Sequence, residues 1–104
     1  MFGWGVKSVT ADELADTLAR RTPVLIDVRE PHEFASGRVD GAVNIPLGRL
    51  VRELDRFDPE AETYVICQSG RRSARAVRLL CRAGFIRAYS VKGGVSAWRG
   101  PLVR

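Results

Sequence analysis

The chain has 104 residues, 45% hydrophobic and 28% charged, a balance that fits one soluble globular domain with a real core. Lys and Arg number 17 against 12 Asp and Glu, so the net charge of +5 suits anionic small molecules or an acidic partner, while no Lys/Arg-rich run interleaved with aromatics points to nucleic acid. Two cysteines with no CxxC pair and no Cys/His cluster exclude a disulfide framework and a zinc site, and no apolar run approaches the length of a membrane span.

Phe2-Gly3-Trp4-Gly5 is an aromatic and glycine lead-in, and Val6 to Val9 read as a short first strand. Thr10 followed by Glu13 has capping-box spacing. The helix it opens sets Leu14 and Leu18 on one face and ends near Arg20-Arg21, ahead of Pro23. Val24-Leu25-Ile26-Asp27-Val28 is an apolar run broken by one carboxylate, the pattern of a buried parallel strand. Pro31 suits the first turn of a short helix over 32–36 that Gly37 terminates. A very short strand over 42–46 stops at Pro46. Leu47, Leu50, Val51 and Leu54 then follow amphipathic helical spacing. Asp58-Pro59-Glu60 is a turn.

Thr63 to Ile66 form a strand that ends in Cys67, and the polar loop Gln68-Ser69-Gly70 leads into a helix running to about Ala83. Ser73 is the expected cap of this helix and Gly84 its stop. Val77, Leu80, Cys81 and Gly84 share one face, so Cys81 is read as core packing. Arg71, Arg75, Arg78 and Arg82 share another, solvated face. Ala88 to Val91 make the last strand, and Gly93-Gly94 turns the chain into a short segment ending at Trp98. This alternation predicts one α/β domain over residues 1–104, a parallel sheet with helices on both faces.

Cys67 is the residue with chemistry. It lies at the carboxyl end of a strand and just ahead of a helix N-terminus, where α/β sheets bind ligands. Loop N–H groups and the helix dipole favour thiolate over thiol there. A cysteine that merely ends a buried strand is the plainer alternative, and the polar, glycine-containing loop argues against it.

Three separated stretches together resemble the rhodanese (sulfurtransferase) domain family. They are Leu25 to Phe34 continued by Gly37 to Pro46, then Cys67-Gln68-Ser69-Gly70-Arg71-Arg72-Ser73, then Gly93-Gly94 with Trp98. The resemblance implies a five-stranded parallel sheet and Cys67 as nucleophile and persulfide carrier. It implies a donor such as thiosulfate, with cyanide, a thiol or a protein cysteine as acceptor. Gln68, Ser69, Gly70, Arg71 and Arg72 then form the anion site, the N–H groups of residues 68–72 cradling the persulfide. Asp27, Arg29 and Ser73 support the site. No metal or organic cofactor is implied. Tyrosine phosphatases place Arg six positions after their cysteine; here that position is Ser73 and Arg72 comes one residue earlier. A loop this much shorter suits a sulfur atom rather than a phosphate. Gln68 and Ser69 stand where thiosulfate-specific mammalian members carry basic residues.

Other polar residues carry weaker expectations. Asp27 in an apolar strand needs a partner, with Arg29, Arg38 or a backbone N–H the candidates. Arg29 and Glu33 are spaced for a local pair, and Asn44 for tying down the turn at Pro46. His32, the one histidine, is ranked outside the catalytic set, and Trp4 and Trp98 are read as packing or lid aromatics. Residues 1–10 show no charged start and apolar core of a signal peptide, so a reducing, cytoplasmic setting is expected. Two functions follow: a sulfurtransferase acting through Cys67, or a persulfide-relay and protein-docking module with little turnover of small donors.

Overall fold

The computed structural model describes residues 5–104. The expectations for Phe2 and Trp4 lie outside the described residues. Strands β1 (Ser8–Thr10), β2 (Val24–Asp27), β3 (Val43–Asn44), β4 (Thr63–Ile66) and β5 (Ala88–Lys92) alternate with helical segments. They form one five-stranded, all-parallel sheet in the order β1-β5-β4-β2-β3. The helices are α1 (Ala11–Arg20), α2 (Pro31–Ser36), α3 (Arg71–Arg82) and α4 (Gly94–Ala97), with a 3-10 segment over Leu47–Arg56.

The two-residue period of the central strands divides the core. Leu25, Tyr64, Ile66 and Val91 face Ala11 and Leu14 of α1, with Val95 and Trp98 at the edge. Ile26, Val28, Val65 and Cys67 face Ala76, Val77 and Leu80 of α3 and Leu50 of the 3-10 segment. Helices therefore cover both faces, which is why strands β2 and β4 read as near-continuous apolar runs.

The capping box at α1 forms as the sequence predicts. The Glu13 N–H donates to Thr10 Oγ1 at 3.0 Å and the Thr10 N–H donates to Glu13 Oε1 at 2.8 Å. Two local expectations fail. The stretch with Leu47, Leu50, Val51 and Leu54 winds as a 3-10 coil, not an α-helix. Three residues per turn stack Leu50 below Leu47 against the core and turn Val51 outward, where it is 61% exposed. Cys81 is exposed rather than packed in the core. On an ideal helix it lies about 100° round from Leu80, at the border of the buried face.

Candidate active site

The site lies where β2 and β4 end side by side, the Val28 N–H donating to the Ile66 carbonyl at 3.0 Å. Chain direction in a parallel sheet brings both carboxyl ends to one edge, and the loops after them meet there.

Cys67 leaves β4 with only 1% of its surface exposed. Its Sγ accepts from the Gly70 N–H at 3.0 Å and from the Ser73 N–H at 3.3 Å, and lies 3.6 Å from Ser73 Oγ. Helix α3 begins after Gly70, whose φ of +103° suits glycine, and no side-chain oxygen caps it. Ser73 is thus not the cap expected from sequence. It is the third helical residue, and its N–H is one of the orphan donors a cap normally satisfies. The cysteine sulfur takes that place. Burial pushes the thiol up, but the Ser73 hydroxyl and the N–H groups of Ser73, Gly70 and Ser69 outweigh it and hold the thiol below its usual range.

Ser69 and Gly70, within the stretch expected to cradle a persulfide, supply N–H groups to the sulfur, and Ser73 adds one from beyond it. The side chain and carbonyl of Gln68 bond elsewhere. Gln68 Nε2 donates to Ser96 Oγ at 3.0 Å. Its carbonyl accepts from the Ser96 N–H at 3.0 Å, and the Cys67 carbonyl accepts from the Val95 N–H at 2.8 Å. Amides in the first turn of α4 so pin the carbonyls of Cys67 and Gln68. Gly94 makes this approach possible, since a Cβ there would stand 2.1 Å from the Cys67 oxygen.

A second buried layer backs the cradle. Ser73 Oγ lies 3.1 Å from the Gly70 carbonyl and 2.8 Å from Ser90 Oγ on β5. Asp27 is fully buried and Arg29 is 2% exposed. Arg29 grips Asp27 through Nη2 at 2.8 Å and Nε at 3.0 Å, its backbone N–H donates to the same carboxylate at 3.0 Å, and Nη2 also reaches the Gly37 carbonyl at 2.8 Å. Of the candidate partners, Asp27 takes Arg29. This fixes the chain after β2. Asn44 adds to it by donating to the Asp27 and Arg29 carbonyls at 3.0 and 2.9 Å, rather than by tying the turn at Pro46.

The two loop arginines differ. Arg72 donates through both Nη atoms to the Glu33 carboxylate, at 2.7 and 3.0 Å. Arg72 holds the Glu33 carboxyl down to about 2. The expected Arg29–Glu33 side-chain pair does not form, because Arg29 turns inward to Asp27 and meets only the Glu33 carbonyl, at 3.3 Å. Arg71 is exposed and makes no ion pair within the described residues. Gln68 and Ser69 are also exposed, so these three side chains form the open rim above a buried sulfur. His32 is exposed on α2. Ser90 and Ser96 are not marked by the sequence, and Glu33 is marked only as a partner for Arg29. All three meet the loop only through the fold. Gly94 was visible in the Gly93-Gly94 pair.

This arrangement stabilises charge on sulfur without a base. Among solved structures, a rhodanese-like domain protein from Staphylococcus aureus superposes with a TM-score of 0.85 at 37% identity, covering 94% of this chain and 98% of that one. The human single-domain sulfurtransferase TSTD1 gives a TM-score of 0.80 at 30% identity over 90% of this chain and 96% of that one. In sequence, the thiosulfate sulfurtransferase GlpE of Shewanella oneidensis is 30% identical over 88% of this chain and 91% of its own length. Residues 10–101 match the rhodanese-like domain family, and the chain belongs to that family.

Proposed function

We propose that the chain is a sulfurtransferase that carries sulfane sulfur on Cys67. The observation that carries this reading is the sulfur's place at the uncapped start of α3, held by the Gly70 and Ser73 N–H groups. The Cys67 thiolate attacks the outer sulfur of a donor such as thiosulfate. A new S–S bond forms, the donor's S–S bond breaks, and sulfite leaves with its electron pair. Cyanide, a thiol or a protein cysteine then attacks the outer persulfide sulfur and Cys67 departs as thiolate. The name of the Shewanella relative supports thiosulfate as donor.

Arg71, exposed at the rim and in no ion pair within the described residues, holds the anionic end of the donor, with Gln68 and Ser69 beside it. Arg72, spent on Glu33, orders the loop instead. Gly70 shapes the cradle, Ser73 stabilises the sulfur, and Asp27 with Arg29 keeps the neighbouring strand end rigid. A free, thiolate-prone cysteine suits a reducing compartment such as the cytoplasm. The relay reading, with little small-donor turnover, draws support from the depth of Cys67 below an uncharged Gln68–Ser69 rim.

Steady-state transfer from thiosulfate to cyanide tests the reading. Parallel double-reciprocal lines, with turnover abolished in Cys67→Ser, are expected. Unchanged turnover in Cys67→Ser overturns it.

A further inference from the structure

Helix α3 carries a line of positive charge of which the site itself uses only the first residue, Arg71. Arg71, Arg75, Arg78 and Arg82 are all exposed. On an ideal helix they fall within an arc of about 60° and run along about 16 Å of its length. None of the four has a carboxylate in ion-pair range within the described residues. Four arginines outside this line, Arg21, Arg29, Arg56 and Arg72, hold carboxylates at 2.6, 2.8, 2.7 and 2.7 Å.

Four like charges on one face repel one another. They raise the local positive potential. The line starts in the first turn of α3, at the rim of the Cys67 loop. Cys67 itself is 1% exposed, so an acceptor sulfur needs to be held at the loop to reach it. A docked partner achieves this by turning the encounter into a local one.

We infer that the α3 arginine stripe is the docking surface for an acidic protein segment whose own cysteine, delivered at the Arg71 end, takes the sulfur from Cys67. This rests on the sulfurtransferase reading. The partner's thiolate attacks the outer persulfide sulfur and forms its own S–S bond. The bond to Cys67 breaks, its electron pair returns to Cys67 as thiolate, and no external oxidant or reductant is consumed. A protein fits better than a nucleic acid because the stripe is one helix wide and bears no aromatic side chain on which bases could stack.

The test uses two synthetic peptides, each with one cysteine followed by four glutamates or by four glutamines. Protein loaded with thiosulfate is mixed with each, and sulfur on the peptide is followed by mass. At low salt the acidic peptide is expected to accept sulfur with kcat/KM about tenfold above the neutral one. The advantage disappears in Arg75→Gln/Arg78→Gln/Arg82→Gln and at high salt, while transfer to cyanide is unchanged. The salt arm needs no variant, so it stands even if the triple substitution disturbs folding. Equal rates for the two peptides, or an advantage that survives both the substitutions and the salt, overturn the docking surface. So does stripe-dependent binding of single-stranded DNA of about 20 nucleotides with no preference for the acidic peptide. Failure of the protein to load sulfur at all, by contrast, overturns the sulfurtransferase reading.

Discussion

Cys67 is buried, and burial alone disfavours a charged sulfur. Its thiol is nonetheless held low, because the Ser73 hydroxyl and three backbone N–H groups turn towards it. The low value makes a signed prediction. Alkylation by iodoacetamide follows the thiolate fraction, so in a Cys81→Ser background its inflection falls below that of an ordinary thiol, about 8.5. Ser73→Ala removes one donor, raises the inflection, and slows alkylation at pH 7 several-fold. An inflection identical in the two proteins contradicts this account of the charge. The position of Cys67 ahead of a helix is legible in the sequence. The identity of its donors is not, since local spacing makes Ser73 a cap and only the fold shows that the sulfur itself occupies the cap site. The roles of Arg71 and Arg72 separate for the same reason. Glu33, far away in sequence, chooses between them.

Four-residue α4 has too few turns to be stable alone and is held by what it touches. Its amides bind the Cys67 and Gln68 carbonyls, while the N–H of the Gln68–Ser69 peptide is among those that favour the thiolate. The loop is therefore clamped between α3 and α4. Gly94, with φ of +55°, is the contact point. Gly94→Ala places a Cβ against the Cys67 oxygen and is expected to cost about 2–4 kcal/mol in denaturant unfolding. Gly48→Ala, where a Cβ meets nothing within 4 Å, is the matched control and stays within about 1 kcal/mol of the parent. A Gly94→Ala protein as stable as the parent contradicts the clamp. Element by element, strands and long helices are legible because periodicity and caps report burial and chain ends directly. The 3-10 segment is not, because its apolar spacing also fits an α-helix and the choice is made by packing against α3. Cys81 fails by the same mechanism: helical phase places it at an edge that sequence cannot distinguish from the interior.

At the scale of the whole molecule, the order β1-β5-β4-β2-β3 sets two central strands side by side and brings their carboxyl ends, and hence Asp27 and Cys67, to one edge. The alternation of elements makes the sheet readable from sequence, and three motifs in order make the family readable. What the sequence leaves open is how residues further apart meet: Arg29 with the Gly37 carbonyl, Arg72 with Glu33, Ser73 with Ser90. Together they build a cradle around the Cys67 sulfur, with Arg71 exposed at its rim and in no ion pair within the described residues. The central claim is that this cradle holds sulfur on Cys67. The most direct measurement is the intact mass of the protein after incubation with thiosulfate, with Cys67→Ser beside it. A gain of one sulfur atom on the parent, removed by cyanide and absent from the variant, is the predicted result. A folded parent whose Cys67 still alkylates but gains no sulfur from thiosulfate, or a variant that gains as much as the parent, contradicts the account.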